Sequence, residues 1–352
     1  MGSSGQEKPP KDLSDWKKKF LLLRVIWKLH KADTIVNELA TKNKDWIKEA
    51  EKKLLSYQSW ATYCESVELP EARSSERSGE PSKATPEGNF AIVRHYQREV
   101  TNSKPEVNPQ AFDTPIAART RGKSNQSSKF SLEDDSPSRT PSSGPSPSPG
   151  PSPPNTISRE IDKLLYPPTK DEQIVNTALI VFLNALTTHF DFYSNWTLHR
   201  KPFVATFENA QFEARTDGYL DSPGENPRVL IEVKPVLRFS NLLAIQMQES
   251  AQMVAWIKSD GDQAQRTNTT RFHISQDRHE VFVTVAKYNQ KYLDYLNNKL
   301  PLSLKEDPSF LTMHQYGPWN TSKKSSVKEL GAILLAITLR AEEEIKNEKR
   351  AV

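Results

Sequence analysis

Residues 228–237 read RVLIEVKPVL, a run in which a glutamate and a lysine stand two apart among aliphatic side chains. The dense turn signal DSPGENP at 221–227 precedes it, and together they read as a turn entering a strand. Side chains alternate along a strand, so Glu232 and Lys234 share a face with Leu230 and Val236, while Val229, Ile231 and Val233 point the other way. An unpaired charge on such a half-buried face costs roughly several kcal/mol unless it is paired, neutralised or bound to a metal. A strand carrying ordinary surface salt bridges would also place polar residues at 230 and 236, and this one carries Leu230 and Val236.

The flanking segments supply the rest of a domain. KDEQIVNTALIVFLNALTTHF (170–190) has helical periodicity through Ile174, Ala178, Val181, Leu183 and Leu186. WTLHRKPFVATF (196–207) and AQFEARTDGYL (210–220) read as strands joined by a short turn. NLLAIQMQESAQMVAWIKS (241–259) is a long helix free of proline and glycine. RFHIS (271–275) and HEVFVTVAKY (279–288) are two further strands with DR as their turn, and a last helix runs over about 326–348. The order helix, three strands, helix, two strands, then more helix predicts an α/β domain over 156–352, with a central mixed sheet of four to five strands flanked by helices.

The remainder is organised differently. The chain of 352 residues is 36% hydrophobic, low for one folded throughout. Trp16, Phe20, Leu23 and Trp27, then Ile35, Leu39, Trp46, Ala50, Leu54 and Tyr57, repeat with helical spacing and predict a coiled-coil-like helical hairpin within region 1–69. Its basic excess is that of a solvated face, and the hairpin either offers a surface for a homodimer or another protein partner or docks on the C-terminal domain. Residues 70–155 read as a disordered linker, because eight of the 25 prolines lie between Pro137 and Pro154 and such a composition buries no core. Within it only NFAIVRHYQREV (89–100) has the makings of a local element.

A formal charge of +4 permits nucleic-acid binding without arguing for it. The single cysteine, Cys64, excludes an intramolecular disulfide framework and a multi-cysteine zinc site. This fits a reducing compartment, nucleus or cytoplasm, rather than secretion. FLLLRVIWKL (20–29) is too short and too charged for a signal peptide or a membrane span. The histidines show no metal-ligand spacing, and no Gly-x-Ser-x-Gly elbow is present.

Asp217 stands just before the turn that returns the chain into Glu232, so an antiparallel pair brings the two carboxylates together. Asp221 is the rival for that place, but it fits better as the residue that opens the turn. Two carboxylates beside a lysine suit a hard cation with oxygen ligands and the hydrolysis of phosphodiesters.

Asp217, fourteen intervening residues, and Glu232-Val233-Lys234, set in that order of elements, resemble the PD-(D/E)XK or restriction-endonuclease-like nucleases, in particular the nuclease-like domains of uncharacterised fungal proteins. The resemblance covers roughly residues 160–290, and Thr216 stands where the motif's name has proline. It implies that Asp217 and Glu232 hold Mg2+ or Mn2+, and that Lys234 orients or helps deprotonate the attacking water. It also implies cleavage of DNA, less readily RNA, leaving a 5′-phosphate and a 3′-hydroxyl. Accessory residues implied by the family are Glu172 on the first helix and one of Gln246, Gln248 or Glu249 on the helix after the motif, with Gln248 preferred. Arg215, Arg228, Lys201, Arg238 and Trp196 are candidates for backbone contacts. The alternative is a catalytically inactive domain of the same fold that binds nucleic acid or protein.

Overall fold

The computed structural model describes residues 22–40, 44–69, 87–103, 167–223, 226–260, 270–299 and 309–351. Seven strands form one mixed sheet in the order β1-β9-β8-β7-β6-β5-β2. These are β1 (Val25–His30), β2 (Asn195–Thr197), β5 (Gly218–Asp221), β6 (Val229–Lys234), β7 (Thr270–Asp277), β8 (Glu280–Lys287) and β9 (Leu311–Asn320). β6 runs parallel to β7 and β1 parallel to β9, while the other neighbours are antiparallel. β3 (Pro202–Thr206) and β4 (Gln211–Arg215) form a separate two-stranded hairpin.

Helices cover both faces. On one lie α1 (Trp46–Leu55), α2 (Gln58–Ser66), α3 (Phe90–Asn102), α4 (Glu172–Thr187) and α7 (Lys324–Ala351), whose apolar residues share a core with Val229, Ile231 and Val233. On the other, α5 (Leu242–Ser259), α6 (Gln290–Leu296) and the β3–β4 hairpin bury Leu230. β6 therefore has the phase read from its sequence, with Leu230 and Glu232 on the α5 side. Parallel strands need a crossover, and α5 provides it between β6 and β7. Because both faces are covered, β8 is apolar almost throughout instead of alternating. Its turn from β7 is made by Arg278 at φ 57° with His279.

β6 ends at Lys234 because Pro235 has no N–H to continue the ladder, while the Pro235 carbonyl accepts the Thr169 N–H at 2.9 Å. α4 starts three residues after Thr169, where the Asp171 side chain accepts the Gln173 N–H at 2.9 Å as an N-cap. The start of α4 is thereby brought beside the end of β6. Gly218 keeps the edge strand close, since a Cβ there would stand 2.5 Å from the Thr197 carbonyl oxygen.

Several expectations are corrected. The helical spacing of Leu23 and Trp27 is misleading, because Val25–His30 is an edge strand paired in parallel with β9; strand pairing outweighs local periodicity there. Residues 12–21 lie outside the described residues. Ile35, Leu39, Trp46, Ala50, Leu54 and Tyr57 are buried as the spacing predicts. Their burial is inside the same core as α4 and α7, so the apolar stripe docks on the C-terminal part of the chain. The described residues up to 103 and those from 167 onward accordingly fall in one compact unit. Residues 90–102 form α3 and pack on α4; they cover the one stretch of the expected linker, 89–100, that has the makings of a local element. The rest of the expected linker, 70–86 and 104–155, lies outside the described residues.

The sheet has more strands than the expected four or five. The stretches 196–207 and 210–220 each split into two short strands, and β9 was not legible because Gly317-Pro318 argues against a strand. That pair lies beyond the β1 ladder and opposite the register shift between Val281 and Val283, where a proline is tolerated. No helix among the described residues is long and apolar enough to cross a membrane.

Candidate metal centre

The end of β6 is where the charged residues meet. The Asp217 N–H donates to the Ile231 carbonyl at 3.0 Å, carrying the β5–β6 ladder one residue past Gly218. Its carboxylate Oδ2 accepts the Val233 N–H at 3.1 Å. Asp217 thus sits across from Glu232, in the place the hairpin reading requires. Glu172 joins them from the first turn of α4, one turn before Asn176, whose side chain donates to the Asp217 carbonyl at 3.1 Å. Carboxylate oxygens of Glu172, Asp217 and Glu232 all lie within 4.8 Å of one another. This buried acidic triad could hold a metal ion.

Lys234 Nζ donates to Glu172 Oε1 at 3.2 Å and to Glu232 Oε1. Gln248 donates to the same Glu232 oxygen from α5. One turn on, Gln252 Nε2 donates to Glu232 Oε2 at 2.5 Å and to the Arg215 carbonyl at 2.8 Å. With that amide nitrogen committed, His273 Nε2 donates to Gln252 Oε1 at 3.1 Å. Arg200 Nη2 lies 3.2 Å from Asp217 Oδ1. Exposure rises outward through the cluster, with side-chain values of 2% for Glu232, 11% for Asp217, 23% for Glu172 and 42% for Arg200. The centre therefore opens on the side of Arg200 and Glu172.

Burial pushes the Glu232 carboxyl up, with the Asp217 charge adding to the effect against the pull of Lys234. Burial also raises Glu172. For Lys234 burial opposes the charge, but Glu232, Glu172 and Asp217 outweigh it and hold its pKa above the ordinary value. Lys234 is an ammonium at neutral pH. It serves as a donor of hydrogen bonds and positive charge rather than as a base.

Burial, together with Arg238 and Lys234, depresses His273 to about 3. The folded chain keeps it neutral, whereas the unfolded chain protonates it below its ordinary pKa of about 6.5. Stability contributed at pH 7 is therefore lost as pH falls. Relative to His273→Gln, the native chain should lose about 2 kcal/mol between pH 7 and pH 5. Urea unfolding of both proteins at the two pH values checks this, and a constant difference between them contradicts it.

Asp217, Glu232, Lys234, Glu172 and Gln248 are thus brought together. Asp221 is not part of the group and pairs with Asn195 at the far end of β5. Glu249 turns away to Arg238, and Gln246 is buried. Of the candidate backbone contacts, Arg238 is buried between Glu249 and Asp277, Trp196 is buried, and Arg228 is forked on Glu348. Arg215 is exposed beside Glu213, and Lys201 lies over the Tyr219 ring at 5.6 Å. Gln252, His273 and Arg200 were missed. The first had a signal, since it follows Gln248 by four residues on one helix face. The other two depend on strand register and loop path. The chain matches no protein-family model, no curated protein and no solved structure.

Proposed function

We propose that this chain is a metal-dependent nuclease of the PD-(D/E)XK kind, hydrolysing phosphodiester bonds of DNA more readily than RNA. The observation that carries the reading is the convergence of Glu172, Asp217 and Glu232 with Lys234 at one strand end. Support also comes from the order of elements around it, with α4 before the strands, β6 bearing the charges, and α5 leading into β7. That order suits a restriction-endonuclease-like core.

The donor set fits Mg2+ or Mn2+. It is all carboxylate oxygen, the preference of hard cations. Three carboxylates meet two cationic side chains, Lys234 and Arg200, so the cluster has acidic charge to spare. Glu172, Asp217 and Glu232 would hold the ion. When bound, it supplies Lewis-acid stabilisation of the negative charge that develops on phosphate oxygens.

The remaining work belongs to the chain. Lys234, fixed between Glu172 and Glu232, orients the attacking water and meets the growing charge on the phosphate. Gln248 and Gln252 donate to Glu232 and orient its carboxylate. Asp217 is oriented by the Val233 N–H.

Incubation of the purified chain with duplex DNA, single-stranded DNA and RNA tests the reading. Cutting is expected with Mg2+ or Mn2+, leaving 5′-phosphate and 3′-hydroxyl ends, and is expected to stop in excess chelator. Cutting that persists in chelator contradicts the proposal.

A further inference from the structure

We infer that Arg200 is a substrate-binding residue, its guanidinium gripping a non-bridging oxygen of a phosphodiester seated over the triad of Glu172, Asp217 and Glu232. This rests on the nuclease reading above. Arg200 sits in the loop between β2 and β3, whose ends are fixed by the His199 N–H donating to Thr197 Oγ1 at 3.1 Å and the Thr216 N–H donating to the Lys201 carbonyl at 3.3 Å. The loop thus delivers the side chain to the mouth of the centre rather than to its floor.

Three features separate this role from a structural ion pair. First, Asp217 does not need Arg200 for its orientation, because Oδ2 already accepts the Val233 N–H. Second, the pairing with Oδ1 is a single contact at 3.2 Å, while the Arg200 side chain is 42% exposed and Asp217 only 11%. A guanidinium built for a carboxylate uses its fork, as Arg228 does on Glu348. Third, a cation held by the Asp217 carboxylate would compete with the guanidinium for it. Displaced outward, the guanidinium would keep its donors at the opening, on the side from which a phosphate would approach. Its planar fork matches phosphate oxygens, which a lysine matches only as a point charge.

Lys234 and Arg200 then divide the anionic group between them. Lys234 approaches from inside, beside Glu232, and Arg200 from the solvent side. Arg228 and Arg238, suggested by the sequence for such contacts, are committed to Glu348 and to Glu249 with Asp277.

The test compares the full-length native chain with Arg200→Ala, Arg200→Lys and Arg200→Gln. Two quantities are read: Mn2+ affinity by calorimetry without nucleic acid, and KM and its salt dependence on the oligonucleotide the native chain cuts. Arg200→Ala should bind Mn2+ no more weakly than the native chain while raising KM roughly ten- to hundredfold, as for one lost charge-assisted hydrogen bond. The slope of log KM against log salt should fall by about 1. Arg200→Lys should keep the slope and raise KM less. Arg200→Gln keeps a neutral donor at this exposed position and guards against a folding defect in the alanine variant.

A native KM and slope in Arg200→Ala and Arg200→Gln overturns the inference. So does a weakened Mn2+ affinity in step with KM, which assigns Arg200 to the support of Asp217. A native chain that neither binds Mn2+ nor cuts overturns the nuclease reading itself, and this inference with it.

Discussion

Lys234→Ala is expected to lower the cleavage rate roughly a hundred- to a thousandfold or more while leaving the protein folded. The magnitude is that of losing a preorganised donor aimed at charge developing in a transition state. Lys234 is such a donor because two carboxylates, Glu172 and Glu232, hold its ammonium and keep it charged. The fold should survive for a related reason. Burial already raises the Glu232 carboxyl, so without its lysine Glu232 takes up a proton instead of remaining a bare buried charge. Gln248 and Gln252 continue to donate to it. Rates measured under single-turnover conditions, beside circular dichroism and urea unfolding, separate the two effects. Native rates of cutting by a folded Lys234→Ala would remove the lysine from the mechanism.

The largest effect on stability is expected at Arg238, which takes no part in the chemistry. Its guanidinium is buried in the sheet–α5 layer, donating to Asp277 Oδ2 at 2.5 Å, to Ser275 Oγ at 2.6 Å, to Gln315 Oε1 at 2.7 Å and to both oxygens of Glu249. The Phe282 ring lies 4.3 Å from its centre. Burial pushes Asp277 up to about 6, and burial also opposes the charge of Arg238, but Asp277 and Glu249 hold the arginine above its ordinary value. Removing the arginine strands two carboxylates in the interior. Arg238→Met should therefore cost about 3–5 kcal/mol in urea unfolding. Combining it with Glu249→Gln and Asp277→Asn removes the stranded charges and should restore much of the loss. A cost below about 1 kcal/mol for Arg238→Met would mean that the network is not what seats α5. The link to the metal centre runs through that helix, because Glu249 lies between Gln248 and Gln252, the two residues that hold Glu232.

What the sequence discloses follows from the range of each interaction. The phase of β6 is local, so alternation alone puts Glu232 and Lys234 on one face. Asp217 is nearly as local, because a single turn joins it to Glu232. Gln248 and Gln252 are one helical turn apart, and one fixed point on α5 would have given the other. β1 was legible only as apolar spacing, since its strand conformation comes from pairing with β9, nearly three hundred residues away in the chain. β9 itself was hidden by Pro318, which a register shift in β8 accommodates and no local rule foretells. The burial of α1 and α2 against α7 is likewise a long-range event. Their amphipathic stripes were visible, and the sequence left open whether a partner or the C-terminal domain covers them.

The claim on which the rest depends is that Glu172, Asp217 and Glu232 together bind one divalent cation. Crystals of the full-length chain soaked in Mn2+ test it most directly, through the anomalous signal of the ion. The account predicts a peak among the three carboxylates, within coordination distance of an oxygen of each, that vanishes in Glu232→Gln. No peak there, or one that persists unchanged in Glu232→Gln, would contradict it.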